Sequence, residues 1–424
     1  MITARSEASL STLGVRALAV ILVALVVSPS APAAAAADRP DVPSKGAFVQ
    51  EGVRQPVSER RRQPATPDQF TTPQATRPEF QPAATPEPPT VERCRAQPDA
   101  HVEPGDLGGW HINRYGWCAY GEYYATGRDS GTGEIIATLR ADFTVLGYGN
   151  KGVRQFDYLV QLDNIVADGN IAWDRSVLKA TVNECVDPQP STTCMRLPRL
   201  ANIPTWQAVN TYAVTFQSPD PGSGTGDNTA FASTFVDLDF STPTQPEWNW
   251  EGGILKIAET RARYDSASYV GSPRGAIFPE APLVFRVDGQ LPDRDESARH
   301  IWDALHRPMI TLPSWLGKTV PARLTRMYNP AMNDANRSKS IGQCEDFYGK
   351  YDGSLINCDE YPFASTYEGS KTGADRNNGL ERHSVRLIDA SDNQNVGRDL
   401  ENTFFRELRI LDGEKFDVVV DGLG

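Results

Sequence analysis

The sequence predicts a multidomain protein: an antiparallel β-sandwich followed by a small α+β domain. Two patterns carry this. Between Cys94 and about residue 290, short runs of alternating apolar and polar residues are separated by Gly-, Pro-, Asp- and Asn-rich turns. From about residue 291 the apolar spacing lengthens to that of a helix, and helical and extended segments then alternate. The length agrees: 424 residues hold two domains of about 100–200 residues each, with extensions.

The chain opens with Arg5 and Arg16, an apolar run from Val15 to Val27, Ser28-Pro29-Ser30-Ala31-Pro32, and an alanine tract from Ala33 to Ala37 that offers A-x-A cleavage sites. This is the layout of a signal peptide over residues 1–37. The run is short of the roughly 20 apolar residues of a membrane span. No later stretch approaches that length, so no stable span is expected after cleavage, and the protein is expected to be secreted. Residues 38–92 are rich in Pro, Gln, Thr, Ala and Glu, as in Pro82-Ala83-Ala84-Thr85-Pro86. They are expected to form a disordered linker, because such a composition cannot bury enough apolar surface to offset the entropy of ordering.

Residues 93–290 are expected to form the β-sandwich. Candidate strands are Ile135–Leu146, Arg154–Leu162, Ser176–Asn183, Tyr212–Gln217, Ala230–Phe240 and Leu283–Val287, with turns at Pro219–Asp227 and Ser241–Glu247. Gly222-Ser223-Gly224-Thr225-Gly226 lacks the lysine of a phosphate loop and reads as an interstrand loop. Trp248 and Trp250 alternate, and serve either as core packing or as an exposed aromatic platform. The pattern leaves the role of this domain open between a spacer and a module that binds cell wall, glycan or protein.

Residues 291–424 are expected to form the α+β domain. Asp293–Arg307 reads as a helix with an acidic first turn, apolar Ala298, Ile301, Ala304 and Leu305 on one face, and Pro308 as its stop. A looser segment carries Arg323, Arg326, Arg337 and Lys339. After Cys358–Ser370 come a Gly- and Asn-rich loop to about Glu381, a strand Ser384–Ile388, and a helix Asp392–Glu407. Ser391 and Gln394 would form the capping box of that helix, and Val396, Leu400 and Phe404 its buried stripe. A turn at Asp412-Gly413 leads to a last strand, Lys415–Val420.

The six cysteines form three close pairs, Cys94 with Cys118, Cys185 with Cys194, and Cys344 with Cys358. None sits in a CxxC or near enough to further Cys or His for a zinc site, so disulfides are expected in an exported chain. The net charge of −12 counts against a broad basic face gripping nucleic acid. It does not exclude an enzyme that meets a few phosphates beside a bound cation.

The α+β domain holds the oxygen-bearing residues that metal-assisted phosphodiester cleavage would require: hard ligands for a cation, a base for water, and positive charge for the phosphate. Asp359 and Glu360 are adjacent, so on an extended chain they should point to opposite sides and take different jobs. Glu368 precedes Gly369, and Asn393 lies in the first turn of the last helix. Taken alone this pattern is weak, since such residues are usually solvated or simply cap helices.

Cys358-Asp359-Glu360-Tyr361-Pro362-Phe363-Ala364-Ser365-Thr366-Tyr367-Glu368-Gly369 resembles the central signature of the NucA/NucB family of secreted deoxyribonucleases. Ser391-Asp392-Asn393 followed by Gly397 is similar to a second family element. Ala298-Arg299-His300-Ile301-Trp302-Asp303-Ala304 resembles its H-I-x-x-A helix, and Ala335-Asn336-Arg337 its later Arg-containing element. The resemblance covers about residues 291–424. Ser370 replaces a second glycine, Lys371–Arg382 look inserted, and one residue rather than two separates Ser391 from Asn393.

The resemblance implies a secreted, metal-dependent endonuclease acting on extracellular DNA with Mg²⁺ or Mn²⁺. Asp359, Glu360, Glu368 and His300 would be its catalytic residues, Glu368 and Asn393 its metal ligands, and Arg337 and Asn393 its phosphate contacts. His300 would touch phosphate or hold a carboxylate. His383 would be solvated, and His306 would only complement a helix dipole. Partners would be the DNA substrate and an inhibitor protein. The competing reading is a non-enzymatic cell-surface binding or adhesion protein with a degenerate nuclease-like domain.

Overall fold

A computed structural model describes residues 87–103, 108–186, 194–218, 227–243 and 248–423. The expected signal peptide, the expected linker up to residue 86, the Gly222–Gly226 loop and the Trp248 side chain lie outside the described residues.

The protein is mostly β-sheet. The chain begins with a short helix α1 (Val91–Arg95) and continues through β1 (Trp110–Asn113), β2 (Gly116–Asp129), β3 (Ile135–Gly149), β4 (Gln155–Gly169), β5 (Val177–Val186) and β6 (Cys194–Asn202). Helix α2 (Ile203–Ala208) follows, then β7 (Thr211–Gln217), β8 (Ala230–Ser241), β9 (Trp248–Glu251), β10 (Ile254–Asp265) and β11 (Gly275–Ile277). These strands form two antiparallel sheets, ordered β1–β2–β3–β4–β7, with β9 on β2, and β11–β10–β8–β5–β6. The alternation of β4 shows why. Phe156, Tyr158, Val160 and Leu162 are buried, while Asp157 and Gln161 between them face outward. Tyr123, Leu139, Phe143 and Tyr158 of the first sheet share one core with Leu178, Val182, Leu238 and Tyr264 of the second. Each such side chain removed from water contributes about 1.5–3 kcal/mol.

Two long strands escape the alternation rule. In β2 the glycines admit neighbours: a Cβ on Gly121 would lie 2.3 Å from Val102 O, and one on Gly127 2.9 Å from the Trp250 ring. In β10 a register shift between Lys256 and Ala258 breaks the period. Trp250 is not a binding platform. Its Nε1 donates to Thr242 Oγ1 at 3.1 Å, and its ring meets Phe240 edge-on at 4.5 Å. The described fold includes residues before 93. Thr90 caps α1, and Tyr148 donates to Pro89 O at 2.9 Å, so the end of the expected linker is part of the fold.

Strand β12 (Val284–Asp288), anticipated as the last strand of the sandwich, pairs in parallel with the final strand. Then come α3 (Asp295–His306), β13 (Arg323–Thr325), α4 (Pro330–Tyr348), β14 (Ile356–Tyr361), α5 (Ser370–Arg376), β15 (Ser384–Asp389), α6 (Ala390–Arg398) running into a π-helical stretch Asp399–Arg406, and β16 (Lys415–Asp421). One sheet is β12–β16–β13 and the other is the pair β14–β15. Their apolar core gathers Phe285, Ile301, Leu324, Tyr361, Phe363, Val396, Leu400, Phe404 and Phe416.

The cap of α6 is Asp389, which accepts from Ser391 N at 2.8 Å, not Ser391 with Gln394. Asp392 instead caps α3 from across the fold, accepting from Glu296 N and Ser297 N, both at 3.1 Å.

Helix α4 has 19 residues and no apolar stripe, so hydrophobic periodicity could not find it; only Asn329-Pro330, cap and first residue, marked its start. Its buried stripe is Asn336, Ser340 and Cys344 at a spacing of four, which docks by polar and covalent bonds. Asn336 donates to Ala364 O (2.9 Å) and accepts from Lys371 N (2.9 Å) and Thr372 N (2.7 Å). Ser340 bonds Ser370 at 3.0 Å. Cys344 is bonded to Cys358, and the pairs Cys94–Cys118 and Cys185–Cys194 also form. The first half of the segment that looked inserted, Lys371–Arg376, belongs to α5, which this stripe holds.

The β-rich region and the C-terminal region are joined by buried charge. Arg409 donates from Nε to Asp265 Oδ1 at 3.0 Å, Arg263 from Nη2 to Asp265 Oδ2 at 2.9 Å, and Arg114 from Nη2 to Glu414 Oε1 at 2.7 Å. Arg263 Nη1 lies 2.9 Å from Glu414 Oε2. Burial alone would raise the Glu414 carboxyl, but the Arg114 and Arg263 guanidiniums outweigh it and hold it at about 2. Among the described residues no helix is long and apolar enough to cross a membrane.

Candidate active-site cleft

The cleft of the C-terminal region has a volume of about 830 Å³. Its walls are one face of α4, the β14 segment with its following turn, and the start of α6 continuing into the π-helical stretch. On α4 the lining residues are Pro330, Asp334 and a second stripe at a spacing of four beside the buried one, Asn333, Arg337, Ile341 and Glu345. Asp359 and Glu360 come from β14, Asn393 from α6, Glu401 from the π-helical stretch, and Arg326 and Tyr328 from the segment between β13 and α4.

Asp359 is nearly buried, and beneath it is His300 of α3, fully buried. The His300 Nδ1 lies 2.7 Å from Asp359 Oδ2 and its Nε2 2.7 Å from Ser384 Oγ on β15. Both ring nitrogens are engaged below the cleft, so His300 holds a carboxylate and does not line the cleft itself.

Glu360 shares the cleft with Asp359 rather than pointing away from it. Its carboxyl is pushed up to about 7 by burial first and by the Asp359 charge second, against the opposing pull of Arg337 and a hydrogen bond from the Ala364 N–H. A carboxyl poised there changes protonation near neutrality. Asn393 donates from Nδ2 to Cys358 O at 3.4 Å, which leaves its carbonyl oxygen as the pole available to a ligand.

Glu368 is not part of the cleft. Its carboxylate accepts from Thr325 N at 2.7 Å and from Thr325 Oγ1 at 2.9 Å, so it fastens the turn after β14 to β13. His383 is also not solvated. It is buried with Nε2 2.6 Å from Gln343 Oε1, and desolvation lowers it to about 4. His306 stacks on Trp302 with ring centroids 4.5 Å apart at the end of α3.

Among the described residues, no three His, Cys, Asp or Glu side chains converge as a metal-holding group. The donor chemistry of the cleft fits a sparser arrangement. Mg²⁺ keeps several waters and uses one or two protein carboxylates, and here Asp359 and Glu360 are accompanied by Asn333 Oδ1, a buried oxygen without a hydrogen-bond partner. Asn333 was missed in the sequence; its place four residues before Arg337 on a helix begun by Asn329-Pro330 is the signal that could have found it.

The site combines a buried His300–Asp359 pair with a cleft lined by carboxylates, amides and guanidiniums. Residues 315–419 match the family model of deoxyribonuclease NucA/NucB. No curated protein and no solved structure matches the chain. His300 precedes the matched residues, yet its bond to Asp359 makes α3 part of the same site.

Proposed function

We propose that the protein is an exported, metal-dependent endonuclease that hydrolyses phosphodiester bonds of DNA in this cleft. The observation that carries the reading is the buried His300–Asp359 pair, whose carboxylate opens into the cleft of a region matching a deoxyribonuclease family. Asp359 is the base: His300 fixes its orientation and leaves the outer oxygen to take a proton from the attacking water. Arg337 lines the cleft and would offer charge to the phosphate. Carboxylates outnumber guanidiniums along the cleft, so the site favours a cation before it favours a phosphate. Glu360, with the oxygens of Asn333 and Asn393, would hold Mg²⁺ or Mn²⁺. The ion would polarise the phosphodiester and offset its charge.

Export is supported by the N-terminal layout and by the three disulfides. The domain division we infer is a β-sandwich to about residue 281 and an α+β nuclease domain from β12 onward, with the sandwich acting as a structural partner through the Asp265 and Glu414 ion pairs. The test is incubation of the full chain with supercoiled plasmid and Mg²⁺ or Mn²⁺, with and without EDTA. Nicking that is lost on chelation and in Asp359→Asn is the expected result. Absence of nicking with either ion, or an Asp359→Asn variant as fast as the parent, leaves only the non-enzymatic binding reading.

A further inference from the structure

Tyr328 lines the cleft and remains 47% exposed, although one face of its ring is covered. The covering ring is Tyr269, from the segment between β10 and β11 of the β-rich region. The two rings are parallel, with centroids 3.8 Å apart and planes at 11°. Tyr269 is itself fixed. Its hydroxyl donates to Asp227 Oδ1 at 2.6 Å and accepts from Asp412 N at 2.9 Å. The buried Arg326 guanidinium lies 5.1 Å from the Tyr269 ring and 5.9 Å from the Tyr328 ring, and donates to the Ile410 carbonyl. The backbone of Tyr328 is pinned by its N–H to Asp412 Oδ1 at 2.8 Å.

An exposed tyrosine by itself means little. A tyrosine immobilised by a second ring and a cation, at the wall of a cleft, has lost its conformational freedom before any ligand arrives. It presents a flat apolar surface next to the groups that would meet a phosphate. We propose that Tyr328, backed by Tyr269, is a stacking subsite for one unpaired nucleobase of the strand that enters the cleft. The subsite rests on the nuclease reading for the identity of its ligand. It also gives the β-rich region a part in substrate recognition, because the supporting ring belongs to that region. Stacking is tolerant of base identity, since every base has a π-face, so the subsite favours single-stranded or locally unpaired DNA without reading sequence.

The test separates binding from cleavage. A fluorescent single-stranded oligonucleotide and a matched oligonucleotide with a run of abasic sites are titrated with the full chain in EDTA, followed by anisotropy. The parent should bind the base-containing strand more tightly. Tyr328→Ala should weaken that binding about tenfold or more and leave the abasic strand unchanged, while Tyr328→Phe should bind like the parent. Equal loss on both strands, no loss on either, or a parent that binds neither strand overturns the subsite. Plasmid nicking by the same preparations reports on the nuclease reading separately. A parent that shows the base-dependent difference without nicking keeps the subsite and loses the enzyme.

Discussion

The imidazole of His300 bridges two strands, with Nδ1 2.7 Å from Asp359 Oδ2 on β14 and Nε2 2.7 Å from Ser384 Oγ on β15. Both ring nitrogens are occupied beneath the cleft, so on the proposed nuclease reading His300 would act through Asp359 and not on substrate. Asp359→Asn should therefore lower kcat by about 10²–10⁴-fold, the range of a general base. His300→Ala should lower kcat less and leave KM near the parent value, with partial rescue by His300→Gln, which keeps one polar contact. A large KM change in His300→Ala would place the histidine on the substrate instead.

In the metal-free protein the Glu360 carboxyl is raised from the usual 4.5 to about 7 by burial first and the Asp359 charge second. The ionised form is the one that would hold a cation, so Mg²⁺ or Mn²⁺ affinity should rise as pH rises through about 7, and Glu360→Gln should weaken that affinity throughout. The stability consequence has the opposite direction. The folded protein holds a proton on Glu360 that the unfolded chain has released, so this contribution is full below 4.5 and is lost as pH rises through about 7. Thermal melts of the parent and of Glu360→Gln should diverge over that window.

The regions should not separate cleanly. A fragment beginning at residue 291 lacks β12 and leaves Arg409 and Glu414 without Asp265, Arg263 and Arg114. We expect it to be insoluble or unfolded by circular dichroism. In the full chain, Asp265→Ala should cost about 3–5 kcal/mol in urea melts, because it strands buried guanidiniums. Glu414 is depressed to about 2, so its contribution is present above 4.5 and is lost as pH falls through about 2. Glu414→Gln should flatten that acid limb.

Asn336 is the polar hub under the turn after β14. Asn336→Ala leaves the carbonyl of Ala364 and the N–H groups of Lys371 and Thr372 short of a partner, each costing about 1–3 kcal/mol if it stays dry. Gly369→Ala should also destabilise, since its Cβ would fall 2.3 Å from Asn336 Nδ2. Because both act on one contact, the double variant should lose less than the sum.

The Cys344–Cys358 bond closes a separation of 14 residues between α4 and the residue before Asp359. Replacing both cysteines with serine should cost about 3 kcal/mol by loop-closure entropy, read as a lower melting temperature. Nicking should fall with it as β14 loosens.

Local patterns sufficed for much of this protein. The period-two runs of β3, β4, β5, β7 and β8 and the amphipathic face of α3 follow from covalent geometry and burial. The Asp359–Glu360 signature is contiguous and could be read directly, while of the 15 pairings six cysteines allow, the three that form join the cysteines closest in sequence. The tertiary structure decided the rest. It sent β12 to β16 across most of the C-terminal region, because a parallel partner is not announced by any local turn. Helix α4 was hidden because its buried stripe is Asn, Ser and Cys, so that hydrogen bonds and a disulfide dock it and no apolar period appears. Only the folded chain shows that Glu368 is bound by Thr325, that His300 lies beneath Asp359, and that Tyr269 supports Tyr328. Those relationships join residues far apart in sequence, and their energies depend on distances that no local pattern encodes.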